Sequence, residues 1–243
     1  MGQFILRYRK HEELRWISHL DLKRTLERAM RRARLPLALT QGHNPRPKLS
    51  FGPPLPLGAT SDAELITIHL SEALEAGQLK DRLNQQLPPG LQMLEAWSLP
   101  VYRKKETFGD IELAEYVVSL RGNLEPEDLQ RRVDQLLASS ELVVQRGGER
   151  PERTVDLRPL IHRLEVRGED KSSLELLMSL RTGSHGGARP QEVVALLGLD
   201  SETHVSRYHR RALSALPRPA GKPGLGQGRK WRRQTRKESE TRP

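Results

Sequence analysis

Apolar and polar positions alternate in the first segment, "QFILRYRK", where Phe4, Leu6 and Tyr8 are set against Ile5, Arg7 and Arg9. A period of two predicts a half-buried strand with a partly basic outer face. The period then changes. In "SHLDLKRTLERAMRRARLP", Leu22, Leu26, Ala29, Met30 and Ala33 recur at helical spacing, Ser18 stands as N-cap with Asp21 three residues on, and Pro36 ends the run. Opposite the apolar stripe lie Lys23, Arg24, Arg28, Arg31 and Arg32, which form either a solvated helix surface or a contact for a polyanion.

The pattern breaks at "TQGHNPRPKLSFGPPLPLG", residues 40–58, where five prolines fix φ and push their neighbours toward extended conformations. The stretch is neither helix nor flexible linker, and fits an extended, turn-punctuated strand or strand edge. His43, Asn44, Arg46, Lys48 and Ser50 supply donors, and Leu49, Phe51, Leu55 and Leu57 supply apolar anchors. A rigid loop of this kind suits recognition, and a purely structural sheet edge is the other reading. "AELITIHL" then predicts a strand, "EAGQLKDRLNQQLPPG" a short helix and "LQMLEAWSL" a strand. With the loop forming or joining the second strand, the order is β-α-β-β-α-β, the ferredoxin-like arrangement.

The same order recurs more loosely after "PVYRKKETFGD". "LAEYVVSLRG", "ELVVQRG" and "SSLELLMSLR" predict strands, and "EPEDLQRRVDQLLAS" and "RPQEVVALLGL" helices. "TVDLRPLIHRLEV" is mixed because Pro159 bars one continuous element, and "HVSRYHRRAL" fits a last strand or a short helix. The expected architecture is α+β: two tandem ferredoxin-like halves (residues 1–100 and 113–216), a linker at 101–112, and a disordered basic tail at 217–243.

Composition narrows the chemistry. No cysteine occurs among the 243 residues, which excludes a disulfide framework, a thiolate nucleophile and a cysteine-ligated cluster supplied by this chain. No apolar run approaches membrane-spanning length and the first twenty residues do not form a signal core, so a cytoplasmic protein without membrane contact is expected. The net charge of +10 is uneven: from Pro217 onward nine basic residues stand against two acidic ones, a local net of +7. Such a balance favours polyanionic partners, nucleic acid first and anionic membrane second, although a basic tail can also serve solubility alone.

The candidate sites follow from these features. His19 and His43 could serve as general acid and base, or with His11 as metal ligands, but no spacing matches a zinc signature, so neither a metal nor any other cofactor is expected. "TGSHGGARPQEV" runs a glycine-rich turn into a helix, where Arg189 could help hold an anion, or the glycines could serve only a turn. In "SRYHRRAL", strand geometry would place Arg207, His209 and Arg211 on one face, with Tyr208, free to stack on a base, and Arg210 on the other. The tail clusters Arg229, Lys230, Arg232 and Arg233 around Trp231, suited to phosphate contacts and stacking.

"ISHLDL" at 17–22, "GHNPRPKL" at 42–49, "LPLG" at 55–58, "VDLRPLI" at 155–161 and "GGARPQEVVALLG" at 186–198 together resemble the radical SAM-linked protein family, a bacterial family of uncharacterised function. Its members are found beside or fused to a B12-binding-type radical SAM protein. The resemblance implies a radical SAM partner and no particular catalytic residues. The duplicated architecture is also similar to that of the RAMP superfamily of CRISPR RNA-processing proteins. Three functions are therefore open: an RNA-binding accessory protein for tRNA or rRNA modification or processing, a protein–protein adaptor of the radical SAM enzyme, and a metal-independent endoribonuclease. A binding role is expected over an enzymatic one.

Overall fold

Strand β1 (Gly2–Lys10) buries Phe4, Leu6 and Tyr8 and turns Arg7 and Arg9 to the other side, as its two-residue period requires. It belongs to a computed structural model in which residues 2–99, 108–147, 152–168, 173–183 and 186–215 are described. Helix α1 (His19–Arg32) follows, capped by Ser18, whose hydroxyl accepts from the Asp21 backbone N–H and donates to the Asp21 carboxylate. Its apolar stripe packs on the sheet through Leu22, Leu26, Ala29 and Met30. Arg34, at φ +50°, turns the chain out of the helix, and Arg82 donates to the Ala33 and Arg34 carbonyls.

Strands β2 (Leu49–Phe51), β3 (Ala59–Leu70) and β4 (Leu91–Leu99) and helix α2 (Ala76–Asn84) complete the first β-α-β-β-α-β series. β3 and β4 flank β1 antiparallel, and β2 pairs antiparallel with Ile66–Ile68 of β3. The second series runs β5 (Leu113–Leu120), α3 (Pro126–Ala138), β6 (Val143–Arg146), β7 (Arg153–Asp156), β8 (Ile161–Arg167), β9 (Glu175–Arg181), α4 (Pro190–Leu196) and β10 (Val205–Ser214). Strand β10 pairs antiparallel with β5 and parallel with Ala59–Ser61 of β3, giving one eight-stranded sheet in the order β4-β1-β3-β10-β5-β9-β8, with β2 beside β3. The fold is α+β with a mostly sheet core and, among the described residues, four α-helices. One apolar cluster gathers α1 and α2 over the first strands, and a second gathers α3 and α4 over the later ones.

Three expectations need correction. "ELVVQRG" does not join the main sheet: β6 and β7 form a separate two-stranded hairpin, and β8 takes the place beside β9. The Asp156 carboxylate closes the hairpin base, accepting from the Leu142 and Arg158 backbone N–H groups, so "VDLRPLI" has a structural task. The proline-rich stretch gives only three strand residues. Most of its first part doubles back, with Leu39 bridged to Pro47 and the Thr40 N–H donating to the Arg46 carbonyl. The third correction concerns Leu57, which is 58% exposed and therefore no anchor. "HVSRYHRRAL" resolves as strand, not helix. The basic tail, and the linker up to residue 107, lie outside the described residues.

Candidate functional site

The doubled-back segment lies alongside α1, and between them runs a groove of about 590 Å³. Leu20, Lys23, Arg24, Glu27 and Arg31 form one wall, spaced three and four apart so that they share a helix face. Asn44, Pro45, Arg46 and Pro47 form the other. The helix wall is about 16 Å long, from the eleven steps of 1.5 Å between Leu20 and Arg31.

Four cations, three on the helix wall and Arg46 on the loop wall, therefore line the groove with one carboxylate, Glu27. Arg24 is held by Asp21 at 3.4 Å, and the Lys23 ammonium stands 4.0 Å from Glu27 Oε1. Arg31 and Arg46 have no acidic partner among the described residues. Glu27 Oε1 is buried and accepts no hydrogen bond within the described residues. Pro45 and Pro47 fix φ at two positions on the loop wall, so little backbone entropy remains to be lost when a ligand binds there.

The groove gathers Lys23, Arg24, Arg31, Asn44 and Arg46 from the sequence reading. Arg28, His43 and Lys48 are exposed but do not line it. The His19 and Phe51 rings pack edge to face with centroids 5.1 Å apart, and His19 lines a smaller cavity of about 20 Å³ with Pro53, Pro54 and Leu55, which His43 does not line. Among the described residues no group of three or more His, Asp or Glu side chains stands together as a metal site. Arg189 precedes α4, where its backbone N–H donates to Glu192. Arg229, Lys230, Trp231, Arg232 and Arg233 lie outside the described residues.

On the sheet face away from the helices the cations are largely matched. Arg7 pairs with Glu95, Arg9 with Asp62, Arg211 with Glu115 and Arg163 with Glu165. His209 lies between Thr60 (2.9 Å from Nδ1) and Asp62 (3.5 Å from Nε2). These contacts, the His209 hydrogen bond foremost, hold the Asp62 carboxyl well below the usual carboxylate range. Arg207 alone of the predicted stripe is exposed without an acidic partner among the described residues. Tyr208 offers no stacking face: it is buried and its hydroxyl is 2.7 Å from Ser201 Oγ.

Several groups escaped the sequence reading. Arg210 is fully buried, and its guanidinium joins Glu64 to the Pro53 and Pro54 carbonyls. Burial opposes its charge, but Glu64 and Tyr116 outweigh that and push its pKa up. Burial lowers the pKa of Lys10, which donates to the Arg15 and Ala59 carbonyls. Arg146 holds Glu192 through two nitrogens and donates to the Gly187 carbonyl, tying the β6–β7 hairpin to the glycine-rich turn. Trp16 is 66% exposed, with the Arg15 guanidinium 4.9 Å above its ring. Tryptophan or arginine in a sequence carries no mark of which outcome awaits it.

Residues 3–190 match the profile of a family described as "Uncharacterized protein conserved in bacteria (DUF2344)". The chain belongs to this family. No curated protein matches it. Among solved structures, a chain in the crystal structure of a Cbf5-Nop10-Gar1 complex is similar, with a TM-score of 0.42 and 12% identity. The match covers 85% of this chain and 47% of that one, so this DUF2344 chain spans about half the length of the solved chain it matches. Among the described residues no helix is long and apolar enough to cross a membrane.

Proposed function

We propose that this DUF2344 protein is an RNA-binding accessory protein that presents a tRNA or rRNA segment to a radical SAM enzyme for modification or processing. The groove between α1 and residues 44–47 is its main contact surface. The observation that carries the reading is the pair of cations, Arg31 and Arg46, on opposite walls of a groove of about 590 Å³ and without an acidic partner among the described residues. Phosphates would pair with them at little reorganisation cost, whereas Arg7, Arg9, Arg163 and Arg211 of the sheet face already have carboxylates. The radical SAM partnership rests on the sequence resemblance, and the absence of cysteine makes this chain the companion and not the cluster-bearing enzyme. We read each β-α-β-β-α-β series as a ferredoxin-like unit, the order β4-β1-β3-β2 being repeated by β10-β5-β9-β8.

Filter binding of full-length protein to cellular tRNA and rRNA fragments over a salt series tests this. Affinity that falls with salt and weakens in the Arg31→Ala/Arg46→Ala variant is expected. Equal binding by that variant and the parent sinks the groove as the contact surface.

A second reading, a protein–protein adaptor, draws on one specific observation: Trp16, Leu20 and Leu57 are all more than half exposed. Co-purification of the radical SAM partner after nuclease treatment, lost on Trp16→Ala with Leu57→Ser, would favour it over RNA binding.

A further inference from the structure

We propose that Trp16 is a base-stacking platform and that the ligand of the groove is a single-stranded RNA, whose phosphates follow the cations while one base lies on the indole. This rests on the RNA-binding reading above and adds to it a ligand class and a contact outside the groove.

Trp16 is at once exposed and fixed. It is 66% exposed, although tryptophan is highly buried on average. Its ring edge rests on Gly58, where the missing Cβ leaves room for it, and the Gly58 N–H donates to the Arg15 carbonyl at 3.0 Å, tying the two segments together. The Arg15 guanidinium lies 4.9 Å from the ring centroid and is itself held by Glu12 at 2.9 Å. Packing does not call for this arrangement, because burying the ring would stabilise the fold more than leaving it in water. A ring held in one orientation does, however, lose little entropy when another planar group is laid on it.

The neighbours of the ring indicate what that group is. Leu20 follows Trp16 by four residues, at most about 14 Å along an extended chain, and lines the groove beside Lys23 and Arg24. A ligand that covers both the ring and the groove brings a planar apolar face for Trp16 and negative charge for Arg31 and Arg46. An RNA strand carries both in every nucleotide, and an aromatic side chain accepts the face of any base. The strand must be single, because the bases of a duplex are stacked on one another and turn only their edges outward. A free nucleotide is too short, since Leu20 and Arg31 stand about 16 Å apart along the helix. A protein docked on Trp16, Leu20 and Leu57 alone would leave Arg31 and Arg46 without a role, whereas an RNA strand accounts for the ring and the cations together.

The test uses the full chain and fluorescence anisotropy with three labelled probes: an RNA dodecamer without internal pairing, an abasic ribose-phosphate strand of the same length, and the dodecamer annealed to its complement. Trp16→Ala is expected to weaken binding of the single-stranded dodecamer about fivefold or more, as loss of one stacked base does, and to leave the abasic strand unaffected. Trp16→Phe should recover most of the loss. With Trp97→Phe and Trp231→Phe in place, Trp16 is the one indole left, and its emission should be quenched by the dodecamer but not by the abasic strand, a readout that needs no change at Trp16 itself. Equal affinity of the parent and Trp16→Ala for the dodecamer with no quenching, or tighter binding of the duplex than of the single strand, overturns the platform and leaves the RNA-binding reading standing. If Trp16→Ala spares RNA binding but abolishes co-purification of the radical SAM partner after nuclease treatment, the ring is a protein contact and the platform is overturned. No binding of the dodecamer, its duplex or structured RNA overturns both readings.

Discussion

Arg210 and Glu64 meet where the last strand joins the first series: Arg210 Nη2 lies 2.6 Å from each Glu64 carboxylate oxygen, and the same nitrogen donates to the Pro53 carbonyl at 2.9 Å. Both side chains are buried. One guanidinium thus fixes β10, β3 and the proline-rich loop together, which no apolar side chain of similar volume could do for the two carbonyls. Removing it strands a buried carboxylate. Arg210→Met is expected to cost about 3–5 kcal/mol in urea unfolding, and Arg210→Met with Glu64→Leu to recover a good part of that. Equal losses in the single and double variants would show that packing alone holds the seam.

Trp16 and Gly58 form a tighter constraint than their exposed position suggests. Gly58 has φ +78°, and a Cβ there would lie 2.8 Å from the Trp16 ring. Gly58→Ala should destabilise by about 1–3 kcal/mol from backbone strain and the clash together. Adding Trp16→Ala relieves the clash and should restore part of the loss in thermal denaturation, whereas Trp16→Ala alone, a surface change, stays within about 0.5 kcal/mol.

The hairpin clamp can be tested separately. Arg146 and Glu192 are largely buried and bond through two nitrogens and two oxygens. Arg146→Ala is expected to cost about 1.5–3 kcal/mol, in line with charged hydrogen bonds, and to raise hydrogen exchange at residues 143–146 and 153–156 before any effect on the main sheet.

Asp62 gives a pH dependence with a defined sign. Its carboxyl titrates lower in the folded protein than in the unfolded chain, where the value is about 3.9. The unfolded chain takes up the proton first on acidification, so the contribution of Asp62 is intact above about pH 4 and is lost as the pH falls below it. More than a third of the side chain is exposed, so the effect is under about 1 kcal/mol. Urea titrations from pH 6 to pH 3 should show a shallower acid limb for Asp62→Asn than for the parent.

For the groove, Arg31→Ala and Arg46→Ala should each lower the magnitude of the salt slope for single-stranded RNA by about 0.7, as one lost phosphate contact does. Replacing Arg229, Lys230, Arg232 and Arg233 by Ser should lower it further without changing the discrimination between RNAs, if the tail contributes charge alone.

Much of the fold was legible because burial imprints a period. The alternation in "QFILRYRK" and the spacing of Leu22, Leu26, Ala29 and Met30 each lead to the element observed. The β6–β7 hairpin was missed because a short run such as "ELVVQRG" has the same local pattern whether it pairs with a central strand or only with its neighbour. The basic wall of α1 and the loop donors were also legible, but their convergence was not. That depends on Leu39 meeting Pro47 and folding the loop back along the helix, a tertiary event with no periodic trace. Arg210 and Lys10 were hidden for a different reason: charged residues in a strand read as solvent-facing, and only the partners across the seam reveal otherwise.

The parallel pairing of β10 with Ala59–Ser61 also has a consequence for biosynthesis. The edge of β3 that it covers emerges from the ribosome some 150 residues before its partner. Through that interval the N-terminal strands present unpaired backbone groups, and Glu64 lacks the guanidinium that will neutralise it. Any chain that stops short of β10 is expected to remain sticky and poorly ordered, so that completion of the last strand acts as a checkpoint on release of usable protein.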